Sequence, residues 1–227
     1  MFEIPNRNLF KNSSFMTVAN SMKLSQENMV SNYKGWLYVW CVWSSQPKKG
    51  MRILDAGPGG KFFILKNCSE IGCDTHAIDL KKKSKKLKAV KNLKYISGNL
   101  FSTGYPSSYF DVIYNVSVLE HIELKNRGKF FKEMERILKP SGKLYVTTVD
   151  SQRVLTGVNE ELKNGMYIPV PLEYMAKPKG SLFPIKTGDF IKSPSWEDNN
   201  VIWARHGGRK KNKQWTEFCT ILEKRVG

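Results

Sequence analysis

The chain has 227 residues, 41% of them hydrophobic, which is enough for one domain with a buried core. Lysine and arginine outnumber aspartate and glutamate by 37 to 20, which gives a formal net charge of +17. The longest apolar run, residues 36–43, is too short to span a bilayer, and no leader-like apolar run opens the chain. The composition therefore excludes a membrane-spanning protein, and we expect a cytoplasmic one.

The cysteines are spread along the chain and form no CxxC pair. Such a pattern is typical of free thiols in a reducing compartment, so we expect neither disulfides nor a metal site. The four cysteines are Cys41, Cys68, Cys73 and Cys219.

The first 46 residues are predicted to form a helical cap. Residues 1–24 are polar with scattered apolar positions and predict an irregular or partly helical arm. A helix is predicted to begin after Ser25, whose hydroxyl can cap the first turn. Apolar side chains then recur at helical spacing on one face, at Met29, Tyr33, Trp36 and Trp40. We expect this face to pack on the sheet that follows.

Strand and helix patterns alternate between residues 47 and 150. Strands are predicted at 51–56, 75–79, 94–97, 110–115 and 143–149. Helices are predicted at 61–71, 81–91 and 125–138. The alternation implies a parallel sheet with helices on both faces, which binds ligands beyond the carboxyl ends of its strands. Polar residues fall at those ends, at Asp55, Asp79, Asn99 and Asn115.

The character of the chain changes after residue 150. Residues 164–198 contain five of the ten prolines, and we interpret residues 151–200 as a loop or lid on the ligand side of the sheet. A surface loop without ligand contact is the alternative. Residues 201–227 are predicted to form a hairpin of two strands, at 201–206 and 215–224, joined by a basic loop.

The most informative motif is the turn Gly57-Pro58-Gly59-Gly60, which follows the first core strand. Glycines let the backbone approach a ligand closely, and the N–H groups that open the next helix can bind that ligand. A dinucleotide fingerprint would need a third glycine where Phe62 stands, so a pyrophosphate cofactor is disfavoured. Asp79, at the end of the next strand, can accept both hydroxyls of a ribose. The pattern indicates an adenosine-containing cofactor.

Six segments in order resemble the motifs of class I S-adenosylmethionine (SAM)-dependent methyltransferases, and the last but one, VLEHI, is similar to the small-molecule subgroup. They are LDAGPG (54–59), AIDL (77–80), GNL (98–100), FDVIYN (110–115), VLEHI (118–122) and LKPSGKL (138–144). The resemblance covers about residues 51–149. It implies a single domain of residues 1–227 with a Rossmann-like, doubly wound α/β sheet of seven strands, mostly parallel, that ends in a C-terminal antiparallel hairpin.

The resemblance also implies that SAM is the cofactor. Asp55 and the glycine turn would hold its methionine part, and Asp79 its ribose. Leu80 would pack on the adenine, Asn99 and Leu100 would contact the adenine edge, and the Asn115 region would lie near the methionine amine. The implied cofactor site comprises Asp55, Ala56, Gly57, Pro58, Gly59, Asp79, Leu80, Asn99, Leu100 and Asn115.

Two positions depart from the family pattern. Lys61 stands where a third glycine is usual, and Asn99 stands where an adenine-contacting aspartate is usual. An asparagine oxygen can still accept a hydrogen bond from the adenine amine, without the charge of a carboxylate. Both departures bear on the affinity for the cofactor.

Displacement at a sulfonium needs position and desolvation, and it needs a base only where the nucleophile must lose a proton. The candidate bases are His121, His206 and Glu120. His121 follows the fourth core strand, near the expected reaction centre, and is the first choice. No matching carboxylates accompany Asp150, so we predict no metal.

The motifs that the sequence lacks exclude some classes of methyl acceptor. Residues 115–118 lack the proline and aromatic residue of enzymes that methylate amino groups of nucleic-acid bases, and they contain no cysteine nucleophile. We therefore expect a small-molecule, sugar or lipid acceptor, methylated at oxygen. An RNA methyltransferase is one alternative because of the basic segments 81–94 and 205–213, although a solvated helix face is the favoured interpretation of those charges. A non-catalytic binding protein is another, because Lys61 replaces a glycine.

Overall fold

The structure is a computed structural model that describes residues 2–3, 6–60, 62–81, 90–154, 175, 179–184, 204–205 and 214–225. The described strands are β1 (Phe2–Glu3), β2 (Arg52–Ala56), β3 (Asp74–Asp79), β4 (Lys94–Ser97), β5 (Phe110–Val116), β6 (Leu138–Val154), β7 (Leu182–Pro184), β8 (Ala204–Arg205) and β9 (Gln214–Lys224). The described helices are α1 (Ser13–Ser21), α2 (Gln26–Ser31), α3 (Tyr33–Ser45), α4 (Phe63–Ile71) and α5 (Leu124–Ile137), with short 3-10 turns at Asn8–Lys11 and Leu119–His121.

The strands form one sheet in the order β1-β9-β6-β5-β2-β3-β4, with β7 and β8 also paired to β9. The pairs from β4 to β6 are parallel, and β9 runs antiparallel to β6. The predicted α/β class, the parallel core and the antiparallel C-terminal strand pair are therefore confirmed. The described strands include the seven predicted ones and two short additions, β1 and β7.

Alternation along each central strand places apolar side chains on both faces of the sheet. Ile53, Tyr114 and Tyr145 pack with the N-terminal helices and α4. Their sequence neighbours Leu54, Ile113 and Leu144 pack with the apolar face of α5. Since both faces are covered, ligands have access to the central strands only at their ends.

The N-terminal segment differs from its prediction in two ways. Phe2–Glu3 forms a strand that pairs with Thr220 and Cys219 of β9, so this part of the arm is neither irregular nor helical. The helix predicted after Ser25 is divided at Asn32 into α2 and α3. The divided helices meet at Gly35, where a Cβ would lie 3.4 Å from Met29 Cγ, an ordinary van der Waals distance.

The Ser25 cap is present as predicted. The Ser25 hydroxyl accepts a hydrogen bond from the Asn28 N–H (3.1 Å), and the Asn28 side chain accepts one from the Ser25 N–H (3.4 Å). This reciprocal arrangement satisfies two backbone donors at the start of α2. The predicted aromatic face is also buried on the sheet, since Trp40 stacks edge-on against Tyr145 at 6.0 Å between ring centroids.

The strand predicted at 143–149 is longer in the structure because it begins directly after α5. Leu138 pairs with Phe110, and the pairing resumes with Lys143 opposite Val112 after a bulge. Within that bulge a Cβ on Gly142 would lie 2.8 Å from the Lys139 carbonyl oxygen, so only glycine fits there.

Several predictions fall wholly or partly outside the described residues. These are Lys61, most of the helix at 81–91, most of the loop or lid at 151–200, His206 and the basic loop after it. Within the described part of 151–200, β6 continues to Val154 and Leu182–Pro184 pairs with β9 as β7, so those residues belong to the sheet and not to a lid. No helix in the described ranges is long and apolar enough to cross a membrane.

We expect Trp36→Ala to lower the free energy of unfolding by about 3–5 kcal/mol, the usual cost of emptying a buried tryptophan site. Trp36 is fully buried, and its indole N–H donates to the Asn6 carbonyl at 2.9 Å. Trp43→Ala is the control, because Trp43 is only partly buried and donates to the exposed Ser14 hydroxyl. Urea unfolding followed by circular dichroism measures both variants. Equal losses in the two variants would contradict the packing described above.

Candidate active site

The candidate site lies where β2, β3, β4 and β5 end side by side. Ala56 is paired with Ile78, and Asp79 is paired with Ser97. On the other side of β2, Asp55 is paired with Tyr114, the residue before Asn115. The sequence-predicted residues at the strand ends therefore lie along one edge of the sheet, as the parallel order requires.

The glycine turn after β2 has a backbone that other residues rarely adopt. Gly57 has φ +97°, and its N–H donates to the Ile78 carbonyl at 2.9 Å. A Cβ on Gly57 would lie only 2.7 Å from Val118 Cγ2, so the segment after β5 closes directly on this turn. Gly59 also has a positive φ, +62°, but a Cβ there would meet no atom of a described residue within 4 Å. Gly57 is thus fixed by its neighbours, whereas Gly59 lies open on the ligand side.

Asp79 is tied to the same turn by its carboxylate. One oxygen accepts from the Gly59 N–H and the other from the Lys81 N–H, each at 3.0 Å. A carboxylate offers about four acceptor positions, so hydroxyl groups of a ribose can still bind here. The backbone contacts fix the orientation of the carboxylate before any ligand arrives.

Asp55 is the most perturbed acid of the site. Its side chain is 4% exposed at the end of β2. Burial, with a further contribution from the negative charge of Asp79, raises the pKa of Asp55 to about 8. A buried acid of this kind favours either a proton or a cationic ligand at its side.

Asn115 links the ends of β5 and β2. Its side-chain N–H donates to the Ala56 carbonyl at 2.8 Å. Its side-chain oxygen is buried, and no described residue donates a hydrogen bond to it. The sequence indicated a backbone contribution from this region; the structure adds a side-chain acceptor directed away from the β2 contact.

The residues predicted to contact adenine lie beyond β3 and β4. Leu80 is 78% exposed, which is unusual for a leucine and suits a surface that a planar ring covers. The Gly98 N–H donates to the Asp79 carbonyl at 2.9 Å and holds the two strand ends together. The Asn99 side-chain oxygen accepts from the Phe101 N–H at 2.9 Å, and Leu100 follows it in the same turn.

The candidate bases differ in their surroundings. His121 is exposed at the end of the 3-10 turn that follows β5. Glu120 is 1% exposed and accepts a hydrogen bond from the Thr148 hydroxyl at 2.9 Å. Of these two, only His121 is available to an incoming acceptor. Among the described residues, no group of three or more histidines, cysteines or acids could hold a metal ion.

Sequence reasoning missed the residues that support the segment after β5. Ser117 has φ +54°, and its N–H donates to both the carbonyl (3.0 Å) and the hydroxyl (3.1 Å) of Thr147. Thr148, the next residue, holds Glu120. The signal was a pair of threonines, Thr147 and Thr148, within the strand predicted at 143–149.

Comparison with known proteins identifies a family model and a relative that each match part of the chain. Residues 54–146 match the family model described as "Methyltransferase domain". A phosphoethanolamine N-methyltransferase of Plasmodium falciparum (isolate 3D7) is 25% identical over 101 residues, which are 42% of this chain and 38% of that enzyme. The match therefore spans less than two fifths of that relative's length.

Two solved structures share the fold at low sequence identity. A 1,6-didemethyltoxoflavin-N1-methyltransferase of Burkholderia thailandensis, with S-adenosylhomocysteine bound, has a TM-score of 0.54 at 12% identity, over 97% of this chain and 82% of its own. A geranyl diphosphate C-methyltransferase of Streptomyces coelicolor A3(2), also with S-adenosylhomocysteine bound, has a TM-score of 0.59 at 12% identity. The match covers 83% of this chain and 77% of that enzyme.

The family match covers residues 54–146, less than half of the chain, and the solved structures share this fold; both agree with the resemblance of the sequence motifs to class I SAM-dependent methyltransferases. The site fits SAM, because it offers an open glycine turn, an oriented carboxylate at Asp79, and a buried acid and a buried acceptor at Asp55 and Asn115.

We expect Gly57→Ala to abolish measurable SAM binding, because the alanine would need φ +97° and its Cβ would strike Val118. Gly60→Ala is the matched control in the same turn, since a Cβ at Gly60 would meet no described atom within 4 Å. Calorimetric titration with SAM measures the affinity, and thermal unfolding checks that each variant is folded. Wild-type affinity in Gly57→Ala would contradict the proposed position of the turn.

The raised pKa of Asp55 predicts that stability depends on pH. An unfolded aspartate has a pKa of about 3.9, so between that value and about 8 the folded protein binds more protons than the unfolded chain. The free energy of unfolding therefore falls as the pH rises through this window, by at most about 1.4 kcal/mol per pH unit. The charged group that acts on Asp55 is Asp79 on β3, and Asp55 in turn helps to raise the pKa of the Cys68 thiol on α4.

Asp55→Asn removes this titration. We expect the variant to gain stability relative to the wild type as the pH is raised from about 5 to about 8. Glu70→Gln, at an exposed acid on α4, is the control and should show no such trend. Urea unfolding at several pH values measures the difference. A difference between Asp55→Asn and wild type that stays constant across the range would show that Asp55 is ionised in the folded protein.

Proposed function

We propose that the chain is a SAM-dependent methyltransferase that acts on a small-molecule acceptor. The observation that carries the proposal is the arrangement of Asp79 and the glycine turn. The carboxylate is held by the Gly59 N–H at the ends of two paired parallel strands, in a turn whose first glycine has no room for a side chain. This arrangement suits a ribose and the adjoining polar chain of a nucleoside.

When bound, SAM supplies a methyl group on a positively charged sulfur. The residues of the chain would hold it in place: Asp79 at the ribose hydroxyls and Leu80 against the adenine. Asp55 and Asn115 would face the positively charged methionine part, where one offers a carboxylate and the other a buried oxygen acceptor. Such positioning supplies much of the rate of a displacement that needs no covalent intermediate.

We propose oxygen as the methylated atom and His121 as the group that removes its proton. His121 is exposed on the segment that contacts the glycine turn through Val118, so an acceptor above that turn would lie near it. The relatives act on nitrogen in phosphoethanolamine, on nitrogen in a toxoflavin precursor and on carbon in geranyl diphosphate. Two of these three acceptors carry phosphate, and the net charge of +17 makes anionic acceptors the first to test.

The proposal predicts formation of S-adenosylhomocysteine from SAM with at least one small acceptor in a panel of phosphorylated amines, phenols and carboxylic acids. Asp79→Ala should weaken SAM binding by about 10-fold or more, since charge-assisted hydrogen bonds contribute about 1.5–3 kcal/mol. Glu70→Ala, at an exposed acid far from the turn, should leave the affinity unchanged. His121→Ala should lower turnover with an oxygen acceptor while SAM affinity stays the same.

Other outcomes of the same assay would favour the alternatives. Transfer to RNA, with affinity that falls steeply as salt is raised, would favour an RNA methyltransferase. SAM binding without turnover on any acceptor would favour a non-catalytic binding protein and would contradict the proposal.

A further inference from the structure

The carboxyl end of α4 brings two cysteines together by the way the helix ends. Gly72 has φ +96°, its N–H donates to the Ser69 carbonyl, and the Cys73 N–H donates to the Cys68 carbonyl, both at 3.0 Å. This pair of bonds is a Schellman motif. In this motif the residue after the glycine, here Cys73, places its side chain in contact with that of the residue five positions before Cys73, which is Cys68. The motif usually joins two apolar side chains; here it joins two thiols.

The two thiols are close enough for each to shift the pKa of the other, and they differ in access to solvent. Cys68 is fully buried, whereas Cys73 is partly exposed beside Lys48, whose carbonyl accepts from the Cys73 thiol at 3.3 Å. The Lys49 side chain packs over Gly72, the residue before Cys73. A small reagent can therefore reach Cys73, while Cys68 can react only through its neighbour.

The contact also makes the two thiols chemically unequal. The hydrogen bond from Cys68 lowers the pKa of Cys73, and the same contact, together with burial, raises the pKa of Cys68. A thiolate is the attacking species in thiol–disulfide exchange. The exposed Cys73 is thus suited to react first, and the buried Cys68 is suited to attack the mixed disulfide that forms on Cys73.

We propose that Cys73 and Cys68 form a reversible disulfide by exchange with a low-molecular-weight disulfide. The Cys73 thiolate attacks one sulfur of that disulfide, forms a mixed disulfide and releases one small thiolate. The Cys68 thiol then gives its proton to a released thiolate and attacks the Cys73 sulfur, which expels the second small thiol. The chain loses two protons and two electrons, and the small disulfide takes them up and is reduced to two thiols. This inference does not depend on the proposed function.

The test treats the full folded chain with excess glutathione disulfide, alkylates the remaining thiols and analyses tryptic peptides by mass spectrometry. Both cysteines lie in one tryptic peptide, residues 67–81, because no lysine or arginine separates them. The expected product is this peptide without alkyl groups and lighter by two hydrogens, and dithiothreitol should restore both thiols. Cys41 and Cys219, which are fully buried, should be alkylated only after unfolding.

Two variants separate the roles. Cys68→Ser should stop the reaction at a mixed disulfide between Cys73 and glutathione, and Cys73→Ser should leave Cys68 unmodified. Circular dichroism checks that both variants are folded, and the wild-type experiment stands without them. A wild-type protein that accumulates glutathione on Cys73, keeps both thiols reduced, or links either cysteine to another position would overturn the proposal.

Discussion

The parallel pairing of β2 with β3 on one side and β5 on the other is the constraint on which the rest of the site depends. It aligns three strand ends at one edge of the sheet. The Gly57 N–H continues the β2–β3 ladder to the Ile78 carbonyl, and the Asn115 amide joins the end of β5 to the Ala56 carbonyl. Because these bonds fix the strand ends, the residues that follow them have little freedom in where they lie.

The electrostatics of this edge contrast with the rest of the chain. In a protein with a net charge of +17, two acids lie near each other here, and the negative charge of Asp79 helps to raise the pKa of Asp55. Burial of Asp55 makes the local preference for positive charge stronger, and the unsatisfied oxygen of Asn115 adds an acceptor on the same side. SAM carries positive charge on its sulfur and its amine, so the site is complementary to that cofactor and poorly suited to a pyrophosphate.

Features encoded locally were predictable from the sequence. The core strands follow from short apolar runs, the Ser25 cap from a serine directly before a helical pattern, and the cofactor turn from glycines between Asp55 and Asp79. The two short strands were not predictable in this way. Phe2–Glu3 forms a strand only because β9, from the other end of the chain, offers it a free edge, and β7 is too short to show a period.

The side-chain contacts in the site could not be predicted from the sequence either. Three features arise from the way in which the helices, the strands and the turns between them pack together. They are the contact of Val118 with Gly57, the Asn115 oxygen to which no described residue donates, and the thiol pair at the end of α4. The division of the helix at Asn32 is similar, because the backbone of Asn32 leaves the helical region there, with φ −132° and ψ 89°. The helical spacing of apolar residues does not reveal such a break, since the apolar residues on both sides of it face the same core.

The most direct test of the account is calorimetric titration of the purified protein with SAM, with S-adenosylhomocysteine and with NADH. The account predicts saturable binding of both sulfur nucleosides at one site per chain and no binding of NADH. Binding of NADH, or failure of both sulfur nucleosides to bind, would contradict the assignment of this strand edge to SAM.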